Sequence, residues 1–285
     1  MPSVLTSTNT LLPPSTELRV GDYALLRQLG QGGSATIYLA EHLYLKNWVA
    51  LKLLSHAKAG QEEVRRFQFE ADLLTRLQHR NIVQVFDFGW EQNSPFFTMA
   101  YAPGGTLRTA FCQNPPLSIS GILPTILQLA SALQYVHNHF TTHGDVKPEN
   151  VLLGPNKEIW LGDFGIASIT SSGPEKSPGK RAVRGTARYM APEQIRGNPL
   201  PASDQYALAV MVYEWLCGQP PFHGSALEVQ VQHVATPPPR LRDRVLSISC
   251  AVEHVVLKAL EKDPHRRFAD VIEFASELHQ VVTQG

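Results

Sequence analysis

Cysteine is scarce in this sequence, with 3 residues among 285. Cys112, Cys217 and Cys250 are far apart, and no two of them form a C-x-x-C pair. This spacing argues against a disulfide scaffold and against a zinc site, because both need paired or closely grouped cysteines. A reducing compartment is the simpler expectation, and we therefore predict a cytoplasmic location.

Net charge is absent too, since 25 basic residues balance 25 acidic ones. A chain with no net charge has no general electrostatic attraction to nucleic acid or to an anionic membrane. The sequence therefore predicts no nucleic-acid partner. Any anion-binding site must be local.

Long apolar runs are missing as well. The longest, at 206–217, contains Glu214 and is shorter than the roughly 20 residues that cross a bilayer. Residues 1–16 carry no Lys or Arg before their apolar residues, unlike a secretory signal. We expect no membrane segment in this chain and a flexible extension over residues 1–21.

The length of 285 residues, with 43% hydrophobic residues, suffices for a substantial core. Short β-rich runs surround a single helical segment at 61–79, which predicts a small sheet with one helix. After Pro103-Gly104-Gly105, long helical periodicities predominate. The sequence thus predicts an α+β fold of two lobes, β-rich at 22–102 and mainly helical at 103–285.

The periodicities also predict where most elements lie. Strands are predicted at 23–29, 36–41, 48–54, 83–90 and 96–101. Further helices are predicted at 119–140, 203–217, 225–233, 251–261 and 271–282. Ser225 and Glu228 fit a capping box, in which each side chain bonds a backbone amide at the helix start.

A glycine-rich segment, Leu29-Gly30-Gln31-Gly32-Gly33-Ser34-Ala35-Thr36-Ile37, joins the first two predicted strands. Its glycines let backbone amides approach a polyphosphate, because no Cβ obstructs them. A simple hairpin turn between two strands would explain the same glycines. The segment alone leaves both interpretations open.

Lys52 and Glu70 form a second candidate group. Lys52 ends an apolar strand and by itself could be a solvated terminus, and Glu70 by itself could be an exposed helix carboxylate. Glu70 is flanked by Phe67 and Leu74 on the predicted helix, and a carboxylate on such a face is costly unless it is paired. We therefore predict that Glu70 pairs with Lys52.

The segment His143-Gly144-Asp145-Val146-Lys147-Pro148-Glu149-Asn150 places a proton acceptor, a cation and an amide ligand in one loop. An apolar hairpin follows it, and then Asp163-Phe164-Gly165. Phosphoryl transfer needs a group that orients the hydroxyl, a positive charge and oxygen ligands for a hard cation. A merely polar turn would not explain the Asp-Phe-Gly at this distance.

Together these segments resemble a eukaryotic-type serine/threonine protein kinase, over about residues 22–282. The segment from Gly185 to Glu193 is similar to the end of that family's activation segment, and Lys262-Asp263-Pro264 to its late helical signature. The segment from Gly218 to Phe222 looks like the bacterial branch. The resemblance implies transfer of the γ-phosphate of ATP to Ser or Thr hydroxyls of protein substrates, among which the chain itself could be one.

The resemblance also implies roles in catalysis. Asp145 would accept the proton of the substrate hydroxyl, and Lys147 would neutralise charge on the γ-phosphoryl group. Lys52 would contact the α- and β-phosphates while Glu70 holds its ammonium group. Thr186 would bond to Asp145 and Lys147.

Metal and nucleotide ligands follow from the same resemblance. Asn150 and Asp163 would bind Mg²⁺, with Mn²⁺ as a substitute. The implied nucleotide-binding residues are Leu29, Gly30, Gln31, Gly32, Gly33, Ser34, Ala35, Thr36, Ile37, Ala50, Lys52, Met99, Ala100, Ala102 and Leu152. Backbone groups of Ala100 and Ala102 would hold the adenine. In the family, Glu193 pairs with Arg267, and Asp204 caps the catalytic loop.

Two positions depart from the family pattern. Ala35 stands where the third glycine of the phosphate-binding loop is usual, which would stiffen the loop without abolishing binding. Gly144 replaces the Arg that normally receives an activation-segment phosphate. We therefore predict activity without phosphorylation of that segment.

Two other function classes compete with an active kinase. A pseudokinase would keep the fold as a nucleotide-binding scaffold, but such proteins typically lose the residues equivalent to Lys52, Asp145 or Asp163, which are all present. A dinucleotide-binding oxidoreductase would need a helix after the glycine-rich segment, whereas this segment leads into another predicted strand.

Overall fold

The computed structural model describes residues 18–55, 60–111, 116–139, 141–164 and 187–284. The chain forms two compact units. The N-terminal unit contains the described residues up to Gln78 and Val83–Ala102. The C-terminal unit contains His79–Ile82 and the described residues from Pro103 onward.

An antiparallel sheet forms most of the N-terminal unit. Its strands are β1 (Arg19–Val20), β2 (Tyr23–Gln31), β3 (Ala35–His42), β4 (Trp48–Leu54), β5 (Val85–Glu91) and β6 (Ser94–Ala100). They lie in the order β1-β2-β3-β4-β6-β5. The alternation of apolar and polar residues buries one face, where Tyr23, Leu51 and Phe96 belong to one apolar cluster. The predicted small sheet is confirmed.

The helix of this unit is α1 (Gln61–Arg76). Glu62 and Glu63 lie in its first turn, where negative charge is favoured by the helix dipole. The Glu63 carboxylate also accepts a bond from the Gly60 amide at 3.0 Å. The apolar stripe packs against β5 and β6, with the Phe67 ring 5.0 Å from that of Phe97. This burial places Glu70 on the inner face of the helix.

One boundary prediction is wrong, since part of the flexible extension proposed for residues 1–21 is ordered. Arg19 and Val20 form β1 and pair with β2. Val20 is only 4% exposed and joins the apolar cluster of the sheet. The burial of this one side chain explains the early start of the sheet, and a run of two residues is too short to show a strand periodicity.

The C-terminal unit is mainly helical. Its helices are α2 (Leu107–Phe111), α3 (Ile119–Asn138), α4 (Pro192–Ile195), α5 (Pro201–Cys217), α6 (Ala226–Ala235), α7 (Cys250–Ala259) and α8 (Val271–Thr283). A two-stranded sheet joins β7 (Val151–Leu153) to β8 (Ile159–Leu161). The predicted α+β class, with a β-rich first part and a helical second part, is confirmed.

Helix α5 is the centre of this unit, because its residues from Ser203 to Leu216 are all buried. It contacts α3, α7 and α8. Pro201 occupies its first turn, where a missing amide hydrogen costs nothing. The helix ends at Gly218, whose φ of +73° is left-handed and suits glycine.

Helix α3 is long and apolar enough to cross a membrane by length and composition alone. In the structure it packs against α5, α8 and β8, and its buried residues include Ile126, Leu129 and Leu133. These contacts are those of the core helix of a folded domain. The described residues contain no other helix that meets the same length and composition test.

The capping box predicted at the start of α6 is present. Ser225 Oγ accepts from the Glu228 amide at 3.4 Å, and the Glu228 carboxylate accepts from the Ser225 amide at 2.7 Å. These bonds satisfy two backbone amides that the helix itself leaves unpaired. They hold the pKa of Glu228 below its ordinary value.

Candidate active site

The glycine-rich segment is the turn between β2 and β3. The Gly32 amide donates to the Ala35 carbonyl at 2.8 Å, which closes the turn. A Cβ added at Gly30 or Gly33 would meet no atom within 4 Å, so the protein's own packing does not require glycine there. The open space suits the close approach of an anionic ligand to the backbone. The residues present therefore fit a polyphosphate.

Lys52 and Glu70 form the ion pair that the sequence predicts. Lys52 Nζ lies 2.7 and 2.9 Å from the two carboxylate oxygens of Glu70. Both side chains are only 11% exposed. Lys52 lies on β4 directly opposite Ile37 of β3, and Ile37 is two residues after the start of that strand at Ala35. The pair thus holds a cation beside the glycine-rich segment.

The predicted adenine-contacting residues of the N-terminal unit lie on neighbouring strands. Ala50 is paired with Met99, and both are buried. Leu29 and Ile37 are partly exposed. The Ala100 amide donates to the Gln84 carbonyl at 2.9 Å, so a nucleotide contact at Ala100 would have to use its carbonyl oxygen.

Two further residues predicted to contact the nucleotide, Ala102 and Leu152, lie outside these strands. Ala102 is the last residue of the N-terminal unit and is partly exposed. Leu152 belongs to the C-terminal unit, where it lies on β7 opposite Trp160 and bridges to Thr106. Leu152 is partly exposed, as an apolar residue that contacts a ligand must be.

The catalytic loop, which we define as residues 143–150, is held by a carboxylate from α5. Asp204 accepts from the amides of His143 at 2.8 Å and Gly144 at 2.9 Å. His137 Nε2 lies 2.8 Å from the same carboxylate. Burial alone would raise the pKa of Asp204, but the hydrogen bonds from His137 and Gly144 hold it below its ordinary value. Asp204 therefore fixes the loop as a charged acceptor.

His143 is buried completely and uses both ring nitrogens. Nε2 lies 3.0 Å from the Gly162 carbonyl, and Nδ1 accepts from the Asp145 amide at 3.3 Å. The neutral tautomer with its proton on Nε2 satisfies both contacts. Burial lowers the pKa of His143, which favours this neutral form.

Asp145, Lys147 and Asn150 come together as the sequence predicts. Lys147 Nζ lies 2.5 Å from Asp145 Oδ2. Asn150 Nδ2 donates to the Asp145 backbone carbonyl at 2.8 Å and to its Oδ2 at 3.1 Å. The side chains of Asp145 and Lys147 are 18% and 19% exposed, so they are held firmly yet can be reached. This arrangement supplies a base and a cation at one place.

Asp163 is linked to this group through Asn150, whose Nδ2 donates to the Asp163 carbonyl at 3.2 Å. Asp163 has a φ of +52°, which is uncommon for a residue other than glycine. Since Asn150 uses its amide nitrogen in these bonds, its side-chain oxygen is the atom that can bind a cation.

A magnesium ion fits the oxygen donors of Asn150 and Asp163. Magnesium is commonly bound by one or two carboxylates together with phosphate oxygens and water. Throughout the described ranges, no group of three or more His, Cys, Asp or Glu side chains could hold a metal ion by itself. A metal at Asp163 would therefore depend on ligands from the nucleotide.

Glu193 of α4 and Arg267 form a buried pair that links α4 to the part of the chain between α7 and α8. Arg267 donates to the two Glu193 oxygens at 2.7 and 2.8 Å, and Ser203 Oγ donates to one of them at 2.7 Å. The side chains are 0% and 6% exposed. Burial alone would raise the pKa of Glu193, but the bonds from Arg267 hold it below its ordinary value.

Sequence reasoning missed a polar cluster beside the catalytic loop. Arg108 of α2 donates to Glu149 at 2.7 Å and to Glu214 at 3.0 Å, and it also contacts the Tyr189 hydroxyl. Burial, together with the charge of Glu214, raises the pKa of Tyr189. These residues lie 41 to 106 positions apart from Arg108, and no local pattern predicts such contacts.

A buried histidine on α6 also escaped prediction. His233 Nε2 lies 2.9 Å from the Arg188 carbonyl, and its Nδ1 lies 2.9 Å from the Tyr206 hydroxyl. Burial lowers the pKa of His233 to about 4, so the ring is neutral at physiological pH. It ties α5 and α6 to the short turn Ala187–Tyr189.

Some predicted residues lie outside the part of the chain that the structure describes. They are Gly165, Thr186 and the candidate phosphorylation sites of the activation segment, Thr170, Ser171, Ser172 and Ser177.

Comparison with known proteins identifies one matching family model and several similar proteins. A family model described as "Protein kinase domain" matches residues 23–281. The serine/threonine-protein kinase PrkC of Bacillus subtilis is 37% identical over 251 residues, which cover 87% of this chain and 38% of PrkC. The kinase Pkn1 of Myxococcus xanthus is 34% identical, over 95% of this chain and 40% of its own length. PknL of Mycobacterium tuberculosis is 33% identical, over 95% of this chain and 68% of PknL.

Proposed function

Because this chain belongs to the protein kinase domain family and its relatives are bacterial serine/threonine kinases, we propose that it is an active serine/threonine protein kinase. The chain spans about two-fifths of the length of PrkC and Pkn1. Members of this family use ATP and a divalent metal ion. The proposal here is that the chain uses ATP with Mg²⁺ and phosphorylates Ser or Thr residues of proteins.

The observation that carries the proposal is the complete set of polar groups around Asp145. Lys147 and Asn150 both contact its carboxylate, and Asn150 also contacts the Asp163 carbonyl. The Lys52–Glu70 pair is intact as well. A chain that had lost turnover would have no need to keep Lys52 and Glu70 paired and buried, since such groups are costly to bury, or to keep Asp145 and Lys147 paired and mostly enclosed. This favours an active enzyme over a pseudokinase.

In the proposed reaction, a Ser or Thr hydroxyl oxygen attacks the γ-phosphorus of ATP and its proton passes to Asp145. The bond from the γ-phosphorus to the bridging oxygen breaks, and ADP leaves with the electron pair. Lys147 stabilises negative charge on the transferred group, and Lys52 stabilises the α- and β-phosphates. Asn150 and Asp163 would hold magnesium, which neutralises phosphate charge when it is bound.

A direct assay tests this function. The purified chain should transfer label from γ-labelled ATP to a mixture of bacterial proteins in the presence of Mg²⁺, and acid hydrolysis of the products should release labelled phosphoserine or phosphothreonine. Chelation of the metal should stop the transfer, because the phosphates then lack their counter-charge. Nucleotide binding without any transfer would support the pseudokinase instead, and labelled phosphotyrosine alone would contradict the acceptor class.

The proposed activity does not depend on phosphorylation of the activation segment. Gly144 has no side chain, so it cannot pair with a phosphate on the activation segment as an arginine would. We expect the variant with Thr170, Ser171, Ser172 and Ser177 all replaced by Ala to keep its activity within about twofold of the unmodified chain.

Thr186→Ala needs a separate measurement, because the family resemblance implies that Thr186 bonds to Asp145 and Lys147. Loss of activity in the fourfold variant would contradict control without phosphorylation. Loss in Thr186→Ala would contradict it only if the KM for protein substrate stayed unchanged and the unmodified chain carried phosphate at Thr186.

The cytoplasm as the place of action is also a proposal. In the described part of the chain, Cys217 and Cys250 carry free thiols, which agrees with a reducing compartment.

A further inference from the structure

The backbone next to Asp145 is held by side chains from two other helices. The Gly144 amide donates to Asp204 of α5 at 2.9 Å. The Gly144 carbonyl accepts from Gln194 Nε2 of α4 at 2.6 Å. Both backbone polar groups of Gly144, its amide and its carbonyl, are therefore hydrogen-bonded to side chains. The carbonyl belongs to the peptide bond that joins Gly144 to Asp145, so this peptide is held as well.

Gln194 reaches Gly144 from a well-anchored helix. Its neighbour Glu193 makes the buried bidentate pair with Arg267 and accepts from Ser203. Pro192 occupies the first turn of α4 and is buried. Because these contacts fix the backbone of α4, the Gln194 side chain reaches the Gly144 carbonyl from a defined position.

Side-chain packing at residue 144 cannot provide the same support. Gly144 has a φ of +78°, a left-handed conformation that glycine adopts without strain. A small cavity of about 10 Å³, enough for one water molecule, is lined by Gly144, Asp145, Gln194 and Asp204 among others. Since Gly144 has no side chain of its own to pack, its two backbone hydrogen bonds fix this peptide.

We propose that Gln194 is a positioning residue for phosphoryl transfer, acting on Asp145 through the Gly144 carbonyl. This inference rests on the proposed kinase function. Because rates fall steeply when a catalytic group moves by a fraction of an ångström, a backbone contact one residue before Asp145 affects the chemical step. It also connects α4, which follows the activation segment, to the group that accepts the substrate proton.

Three substitutions at Gln194 separate the hydrogen bond from the shape of the side chain. Gln194→Met keeps the length and removes the donor, and we expect kcat to fall about tenfold while the KM for ATP stays unchanged. Gln194→Glu places a carboxylate against the carbonyl and should lower kcat at least as much. Gln194→Lys restores a donor and should recover most of the lost kcat.

Gln232→Met is the matched control. Gln232 Nε2 also donates to a backbone carbonyl, that of His223, at 2.7 Å, but it does so away from the catalytic loop. Its replacement should leave kcat unchanged. A purely structural role for Gln194 predicts something different, namely equal loss of stability and activity in all variants.

Hydrogen exchange of peptides covering residues 143–147 gives a readout that needs no activity. Exchange should be faster in Gln194→Met than in the unmodified chain and should return toward the original rate in Gln194→Lys. If the unmodified chain transfers no phosphate, the kinase proposal fails, and exchange still decides whether Gln194 holds the loop. The inference is overturned if Met, Glu and Lys at residue 194 give equal kcat values, or if exchange is the same in the Met variant as in the unmodified chain. Failure of the Met variant to fold leaves the comparison of Glu with Lys to decide in the same way.

Discussion

Replacing Asp145 with Asn should lower the rate of phosphoryl transfer by about a hundredfold or more. The amide cannot accept the proton of the substrate hydroxyl, and Lys147 loses its charged partner at 2.5 Å. The fold should be unaffected, because Asn has the same shape and can still accept the bond from Asn150. Initial rates with γ-labelled ATP and a protein substrate measure the effect.

A surface aspartate provides the control for this change. Asp72 is 52% exposed and pairs with Arg76 on the surface of α1, so Asp72→Asn removes the same charge from a solvent-exposed pair. It should transfer phosphate at the normal rate. Undiminished incorporation of label by Asp145→Asn would defeat the assignment of Asp145 as the catalytic base.

Lys52→Met should remove phosphoryl transfer for a different reason, since it deletes the cation proposed to contact the α- and β-phosphates. It also leaves the Glu70 carboxylate buried without Lys52, so thermal unfolding has to be compared with that of the unmodified chain. A folded Lys52→Met variant with full activity would contradict the role of Lys52.

Arg267→Ala should lower the free energy of unfolding of the C-terminal unit by about 3–5 kcal/mol. The guanidinium group is completely buried, and its loss leaves the Glu193 carboxylate uncompensated. Backbone carbonyls of Glu261 and Ala202 lose a donor in the same variant. Urea unfolding followed by circular dichroism measures the change.

The exposed pair of Arg76 and Asp72 again supplies a comparison. Arg76 is 74% exposed, so Arg76→Ala should change the free energy of unfolding by less than about 1 kcal/mol. If Arg267→Ala and Arg76→Ala lowered the free energy of unfolding by equal, small amounts, the Glu193–Arg267 pair would not stabilise the position of α4. At low pH the difference should shrink. The pKa of Glu193 is lower in the folded chain than in the unfolded chain. The stability that its charged form contributes is therefore full above the unfolded pKa and is lost as the pH falls through the folded pKa.

The main elements of both units could be predicted because their apolar residues recur at the helical or strand period. The errors lie at the ends. The apolar pattern predicts that α1 continues to residue 79, but Leu77 leaves the helix with extended backbone and is still buried, so burial alone cannot mark the end. Helix α5 begins at Pro201, two residues earlier than predicted, because proline fits the first turn of a helix.

The candidate site was predictable where its residues are close in the sequence. Asp145, Lys147 and Asn150 lie within one loop, and their contacts follow from that proximity together with the family pattern. The contact of Gln194 with Gly144 joins residues 50 positions apart and depends on how α4 packs. Periodicity and local spacing carry no information about such a partner.

The left-handed backbone of Asp163 has a consequence for how the sequence can change over time. A residue other than glycine at a φ of +52° costs on the order of 1 kcal/mol, and glycine would remove that cost. A lineage freed from the need for chemistry would therefore gain stability by losing this aspartate. An aspartate at this position, where glycine would be more stable, is what we expect if the proposed role of its carboxylate in binding the metal ion is required.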